Sequence, residues 1–519
     1  MKLNYKRTIL VGFAFFLISA FWQAYDATIP VILTNKFGMS QFWSGTLMAL
    51  DNILAVFLLP IFGALSDKCI RSRYGKRTPF ITIGTIIAAI ALVFLSFVDS
   101  AQLKNMTDVA VIDSKDSLEA IYDSQIGNTL MTPDGREFVI DDLFSKEQYL
   151  AISSEIPNPD NAKEMITNPD YTNYVVPARQ AYAALRTQVN PTPLIVFIIV
   201  LFVILLAMSI FRSPAVALMP DVTIKPLRSK ANAVINLMGT AGGILVLVLG
   251  MIFATSAVRN QLMNYTVYYS VIAAIMLTAL AIFLITVREK NWSQQMQNDS
   301  IALGLEEENA VEVASRKLNK GEATSLILIL ASVALWYFGY NAVTSKYAVY
   351  AGNILSMDYN TTLLIAQGAA IVAYLPAGII ASKIGRKKTI LAGVMMLATA
   401  FLAASFLRSG SSVLLMNVLF ALAGIGWATI NVNSFPMVVE MCSGGNIGKY
   451  TGFYYTASMS AQIVTPMLSG HFMDKMGMTV LFPYAAIFVA LAFVTMMFVR
   501  HGDTKVIAKK GLESLDIDD

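Results

Sequence analysis

Apolar runs long enough to cross a bilayer recur along the whole of this 519-residue chain. A bilayer core takes roughly 20 residues of helix. Runs of that kind fall near 8–33, 41–65, 80–98, 193–219, 231–254, 265–287, 323–346, 360–382, 389–407, 412–438, 450–472 and 479–499. Only 14% of the residues are charged and 56% are apolar, where a soluble domain carries about 25% charge to cover its surface. The first run begins after Lys2, Lys6 and Arg7 and eleven more follow, so it reads as a span and not as a cleavable signal. The expectation is an all-α integral membrane protein with twelve transmembrane helices.

Lysine and arginine in short loops set the orientation. The stretch 66–78 carries Lys68, Arg71, Arg73, Lys76 and Arg77 against the single Asp67, and 383–388 carries Lys383, Arg386, Lys387 and Lys388 with no acid. The alternate loops offer only Lys36, Arg259 and Arg408. Both termini are therefore expected in the cytoplasm. Between spans three and four the rhythm breaks over 99–192, which holds fifteen acids and seven bases. This insertion is expected outside. Its short apolar runs and the turn Thr132-Pro-Asp-Gly135 suggest a small folded cap, with a disordered spacer as the alternative. The central stretch 288–322 reads as a cytoplasmic tether, with 300–318 as a candidate surface helix, and 500–519 as a cytoplasmic tail.

The chain repeats itself. Trp22-Gln-Ala-Tyr25-Asp26-Ala27 in span one answers Trp336-Tyr-Phe-Gly-Tyr340-Asn341-Ala342 in span seven, and 37 residues separate Asp26 from Gly63 and Asn341 from Gly378 alike. Pro60-Ile-Phe-Gly63-Ala-Leu-Ser66-Asp67 leads to Gly75-Lys76-Arg77-Thr78, as Pro376-Ala-Gly378-Ile-Ile-Ala-Ser382-Lys383 leads to Gly385-Arg386-Lys387-Lys388-Thr389. The segment 214–221 answers 436–440, but the distance to it from the loop glycine is 91 residues longer in the first half, about the size of the insertion. Two parallel six-helix repeats with an extracellular insertion between helices 3 and 4 explain these spacings together. That is the build of a major facilitator transporter, with its site between the halves near the midplane. The halves divide as 1–98 with 193–287, and 323–499.

The segment Gly63-Ala-Leu-Ser-Asp67-Lys-Cys69 through Gly75-Lys-Arg-Thr-Pro79-Phe80-Ile81 resembles the sucrose/proton symporter-like carriers of the glycoside–pentoside–hexuronide:cation symporter group. Asp221 followed by Arg228-Ser-Lys-Ala231-Asn232 resembles the fourth loop of the same carriers. The resemblance implies proton-coupled uptake of a glycoside or other sugar through the plasma membrane. It also implies a cytoplasmic gate, for which Asp67, Arg73, Lys76, Arg77, Asp221, Arg386 and Glu440 are the matching candidates. Melibiose-type members carry two acids on span two where this chain has Ala55 and Leu59, and the arginine of plant sucrose carriers falls at Val216.

A charge at mid-bilayer costs a few kcal/mol or more, so each intramembrane ionisable residue is a functional candidate. Asp26, Asp51 and Arg212 lie well inside their spans. Two carboxylates and one guanidinium leave one acid without a fixed partner, free to take and release a proton. Asp51 is the candidate proton carrier, with Asp26 and Arg212 setting its surroundings. The alternatives are a static Asp–Arg pair pinning helices, and Asp26 capping an unwound turn near Pro30.

Sugar recognition calls for planar amides and aromatic faces. The candidates are Trp22, Gln23 and Tyr25 on span one, Asn236 on span five, Trp336, Tyr340 and Asn341 on span seven, Gln367 on span eight, and Trp427 and Asn431 on span ten. Any one of these aromatics alone reads equally as packing or as a lipid-facing belt. Gly239, Gly242, Gly243 and Gly250 suit close helix packing.

Two cysteines and two histidines leave little material for a disulfide framework or a metal cluster, and no phosphate-binding loop or nucleophile elbow is present. No enzyme, metal, cofactor or nucleic-acid partner is expected. The partners would be a small substrate, a proton and the lipid bilayer, with the chain acting as a monomer. An exchange or efflux carrier on the same fold, and a non-transporting sugar sensor, stay open as alternatives.

Overall fold

The computed structural model describes residues 3–69, 74–158, 161–224, 227–302, 318–439, 441 and 447–502. Arg73 and Glu440, two of the gate candidates, lie outside the described residues, as do 303–317 of the expected surface helix.

Twelve long helices carry the fold. In the first half they are α1 (Tyr5–Asn35), α2 (Gln41–Asp67), α3 (Thr78–Asn105), α8 (Thr192–Val222), α9 (Arg228–Ile252) and α10 (Thr266–Thr286). In the second they are α12 (Lys320–Tyr350), α13 (Tyr359–Ile384), α14 (Arg386–Ala404), α15 (Val413–Val439), α16 (Ile447–Met476) and α17 (Leu481–Met497). Ten are long and apolar enough to span a membrane on composition alone. α13 and α16 pack across the molecular midline, α13 on α9 and α16 on α2. Each half has its own hydrophobic core, one centred on Leu17, Leu95 and Phe211, the other on Val333, Leu397 and Phe482. This is the major facilitator architecture of two six-helix repeats.

Helix starts are fixed by side chains that accept orphan backbone N–H groups. Asn4 accepts from Arg7, Ser40 from Trp43, and Asp358 from Asn360 and Thr361. Asn319 and Glu322 form a reciprocal capping box at the start of α12. α1 continues unbroken through Pro30 to Asn35, so Asp26 sits in regular helix and caps no unwound turn. The central stretch forms α11 (Glu289–Ala302), earlier than the helix expected over 300–318.

The insertion is a folded unit with its own core of Leu118, Ile121, Phe138, Tyr149, Tyr171 and Val175. It comprises α4 (Lys115–Gln125), α5 (Ile140–Leu143), α6 (Lys146–Leu150), α7 (Val176–Val189), and two antiparallel hairpins. These are β1 (Thr129–Met131) with β2 (Glu137–Val139), and β3 (Glu155–Asn158) with β4 (Asn161–Thr167). The turn between β1 and β2 needs Gly135 at φ +93°, where a side chain would be strained.

α3 does not stop at the expected residue 98 but carries on to Asn105, so Asp99 belongs to the helix. Lys36 Nζ sits 2.6 Å from Asp99 Oδ2, both side chains fully buried, and also donates to the Met263 carbonyl at 2.7 Å. A buried pair is stable only when its remaining bonds are satisfied, and here they are. Gln102 Nε2 donates to the Lys36 carbonyl, and Thr187 Oγ1 on α7 donates to the Phe37 carbonyl. The insertion is thus welded to the first half.

The start of α1, the segment after α17 and the described residues of the basic loops 66–78 and 383–388 lie at one end of the bundle, hereafter the basic end. The insertion covers the other, the insert end.

Candidate functional site

α1, α2 and α8 bring Asp26, Asp51 and Arg212 into one cluster within the first half. Asp51 is close enough to both Asp26 and Arg212 to feel their charge. Its Oδ1 accepts from Asn52 Nδ2 at 2.7 Å. The Arg212 guanidinium lies over the Trp22 ring, 5.7 Å from its centroid, within cation–π range. Among the described residues no carboxylate comes within contact distance of Arg212, so this is no static ion pair. Trp22 Nε1 and Tyr25 Oη are both buried with no hydrogen-bond partner. Buried polar groups are nearly always bonded, so two unanswered groups one turn apart, beside a buried cation, stand out from the packed interior.

The second half faces this cluster with an aromatic wall. Tyr340 and Trp427 stack with centroids 3.6 Å apart and planes 4° from parallel, and Tyr337 meets Trp427 edge-on at 5.3 Å. Asp26 lies within electrostatic reach of Tyr340, and Arg212 within reach of Tyr455 on α16, so the two halves meet around this cluster. Gln367 Nε2 donates to Gln23 Oε1 at 2.6 Å, an amide pair bridging the halves. Gly243 on α9 faces that pair, whereas Gly242 backs on the Phe16 carbonyl with no room for a Cβ. The glycine cluster therefore splits into packing and site-facing members. Asn236, exposed, stands two helical turns from Gly243 on the same face of α9. Asn341 is half-buried, its Nδ2 bonded to the Tyr337 carbonyl at 2.9 Å, and Asn431 is half-buried on α15.

One expected binding residue is corrected. Trp336 is fully buried in the core of the second half. Its neighbour Tyr337, a helical step of about 100° away, faces Trp427 and Tyr454 instead. Asn52 and Tyr455, which the sequence reading left out, also stand at this cluster, and Tyr337, which it placed on span seven beside Trp336, lines the aromatic wall.

Of the expected gate residues, Arg77, Asp67 and Asp221 form a clasp inside the first half. Arg77 donates through Nε to Asp221 Oδ2 at 2.7 Å, through Nη2 to Asp67 Oδ1 at 2.5 Å, and through Nη1 to Ser66 Oγ at 2.5 Å. Burial works against the Arg77 charge, but Asp221 and Asp67 outweigh it and hold its pKa above the ordinary value. Glu289, absent from the expected set, caps this corner. Its Oε1 accepts the Lys76 and Arg77 amides at 2.6 and 2.8 Å, and its Oε2 accepts from Thr78 N and Oγ1 at 2.8 and 2.7 Å. Lys76 contributes its backbone N–H. Arg386, largely buried, starts α14 in the other half.

Among the described residues, the hydrogen bonds that cross between the halves sit at the midplane or the insert end. Asp474 accepts the Gln41 and Phe42 amides at 2.7 and 2.8 Å, and buried Lys346 donates to the Gln41 carbonyl at 2.6 Å. Ser256 donates to Asp358 at 2.6 Å, and Tyr359 Oη meets Thr255 Oγ1 at 2.7 Å. The Met478 amide donates to the Pro133 carbonyl in the β1–β2 turn at 2.6 Å. Gly45 of α2 is pressed on the Pro466 carbonyl of α16, while a Cβ at Gly452, nearer the basic end, would meet nothing.

Known proteins share this fold. A family model described as MFS/sugar transport protein matches residues 10–104, and one described as Major Facilitator Superfamily matches 358–515. An MFS-type transporter of Metarhizium rileyi, ppzB, is 28% identical over 139 residues, a match spanning 27% of this chain and only 28% of that protein. Among solved structures, an inward-open xylose transporter XylE from E. coli is 15% identical, covering 99% of both chains with a TM-score of 0.59. A peptide transporter POT is 9% identical, covering 95% of this chain and 93% of its own, with a TM-score of 0.57. A nucleoside transporter NupG is 12% identical, covering 95% and 100%, with a TM-score of 0.55. The chain thus has the major facilitator fold, with long apolar helices in both halves, and family models of that superfamily match part of each half.

Proposed function

We propose that this chain is a secondary active symporter that carries a sugar or glycoside together with a proton by alternating access. The observation that carries the reading is the midplane meeting of an acid pair, a buried guanidinium and a stacked aromatic wall drawn from opposite halves. The Tyr340–Trp427 face suits the apolar side of a sugar ring. The Gln23–Gln367 pair, Asn341 and Asn431 offer amides for hydroxyl pairs, and Trp22 Nε1 and Tyr25 Oη await partners. A carboxylate that is neutral when loaded and charged when empty couples the proton to reorientation. Fold alone does not choose a substrate, and the xylose, nucleoside and peptide transporters sharing this one illustrate it.

Basic loops belong on the cytoplasmic side. The basic end and both termini then face the cytoplasm of the plasma membrane, and the insertion faces outward. In that orientation the described hydrogen bonds between the halves lie at the outer side and the midplane. The resemblance of the 63–81 motif supports assigning the chain to the glycoside–pentoside–hexuronide group.

The test is substrate-triggered alkalinisation outside energised vesicles, screened over monosaccharides, disaccharides and glycosides with and without sodium. Uptake accompanied by external alkalinisation supports proton symport. Sodium dependence at fixed pH refutes the proton, and counterflow without any ion movement refutes symport.

A further inference from the structure

Where the start of α1, the end of α10 and the start of α11 converge at the basic end, they line an open cleft of about 400 Å³. Lys6, Arg7 and Arg288 line it, together with Leu10, Ile285 and Trp292. Three cations around one small cleft repel one another unless an anion neutralises them. The acid that Arg7 feels is Asp299. Glu289, next in sequence to Arg288, is turned away with both oxygens bonded at the start of α3. The cleft is therefore net positive.

The Arg7 guanidinium is held in place. Its Cζ lies 4.8 Å over the Trp292 ring, and its Nη2 donates to Gln295 Oε1 at 2.7 Å. A guanidinium has five N–H donors, and a fixed one with donors to spare is suited to a phosphate. Lys6 and Arg288 are exposed and can close over the guest. Beside these cations stand side chains that suit only lipid. Ile285 is 78% exposed, and Ile9 and Leu284 are exposed on the same helix ends. A cationic pocket immediately beside exposed aliphatic side chains, at the end of two membrane spans, matches the division of a phospholipid into headgroup and chains.

We propose that this pocket binds the phosphate of an anionic phospholipid, with Lys6, Arg7 and Arg288 on the headgroup and the acyl chains along Ile9 and Ile285. The lipid ties α1 and α10 to α11. Since α11 begins with Glu289, which caps α3 next to the Arg77 clasp, the lipid steadies the basic end of the first half. The proposal needs only the membrane-spanning fold and is independent of what is transported.

The experiment uses the full chain, purified, stripped of lipid and offered phosphatidylglycerol, phosphatidylcholine or inorganic phosphate, with native mass spectrometry and thermal unfolding as readouts. Phosphatidylglycerol adducts should outlast phosphatidylcholine adducts and raise the unfolding temperature. Lys6→Gln/Arg7→Gln/Arg288→Gln should weaken phosphatidylglycerol retention about tenfold or more, while a control with Lys290, Lys383 and Lys388 changed to Gln retains it. The single Arg288→Gln, at an exposed position, gives a smaller loss in the same direction and serves if the triple variant does not fold. Equal retention of both lipids, or equal loss in the control, overturns the site. Stabilisation by inorganic phosphate as large as that by phosphatidylglycerol makes it a free-anion site and overturns the lipid assignment.

Discussion

At the insert end, Asp474 of α16 holds the first amides of α2, Lys346 of α12 holds the Gln41 carbonyl, and Ser256 and Thr255 meet Asp358 and Tyr359. At the basic end, Arg77 is bonded to Asp67, Asp221 and Ser66, and Glu289 to the start of α3. Both sets are charge-assisted and both are well formed. The difference is which bodies they join. The first set runs between halves and must break whenever the insert end opens; the second lies inside one half and travels with it. In an alternating-access carrier the first kind sets which conformer is populated, and the second sets how stiff the moving body is. A motif that resembles a gate can therefore belong to the second kind.

The largest effect is expected from making the insert-end contact permanent. In a background with Cys69 and Cys442 replaced by Ser, cysteines at Ser256 and Asp358, whose side chains now touch across the halves, should be joined by oxidation or a short bismaleimide. Uptake should fall to background on cross-linking and recover on reducing the disulfide. Undiminished uptake by the cross-linked carrier would show that this end need not part, and the distinction between the ends would fail.

Next comes the midplane that both ends alternately expose. Asp51→Asn fixes the neutral form beside Arg212. It should abolish uphill accumulation and substrate-linked proton movement while sparing exchange at equal concentrations. Full accumulation by this variant refutes the coupling role. Trp427→Ala, which removes half of the aromatic stack, should weaken substrate affinity by roughly five- to tenfold, the worth of an aromatic face. Trp336→Ala, in the core, should instead reduce the amount of folded protein. Half-saturation constants and membrane abundance measured together separate the two tryptophans.

How far the sequence reaches differs between these regions for physical reasons. Spans, repeat and insertion were legible because lipid demands long apolar runs and the duplicated Asn341–Gly378 and Asp26–Gly63 spacings survive in the chain. The phase of α12 was not: a helix apolar all round has no polar face to orient it, so Trp336 and Tyr337 read alike and only packing against α15 and α17 separates them. The extension of α3 past residue 98 was hidden because Asp99 counts as a loop acid until Lys36, 63 positions earlier, is seen against it. Glu289 left no local signal at all, since it caps a helix that begins more than 200 residues before it.

A moderate effect is expected from weakening the insert-end contacts without changing their geometry. Asp474→Asn leaves one oxygen to accept but removes the charge from two hydrogen bonds worth about 1.5–3 kcal/mol each when charge-assisted. Losing even half of one such bond shifts a two-state population several-fold. Spin labels at exposed Val189 and Leu414, at the insert end of opposite halves, should then report a larger fraction of long distances. An unchanged distance distribution would mean that Asp474 is packing detail and not part of what holds this end closed.

The smallest effect on conformation is expected from the clasp within the first half, and that is what makes it diagnostic. Glu289→Gln keeps the shape of the side chain but turns a carboxylate with four accepted bonds into an amide with one acceptor oxygen. The amides of Lys76, Arg77 and Thr78 lose a charged acceptor at a buried corner, a change of about 1–3 kcal/mol for each donor left wanting. The cost falls on the first half alone, because α2, α3, α8 and α11 all belong to it. Thermal unfolding in detergent should therefore shift downward while the Val189–Leu414 distance distribution stays where it was. If Glu289→Gln moves that distribution as Asp474→Asn does, the basic-end bonds report on the conformer after all, and they act as a gate in spite of joining only one half.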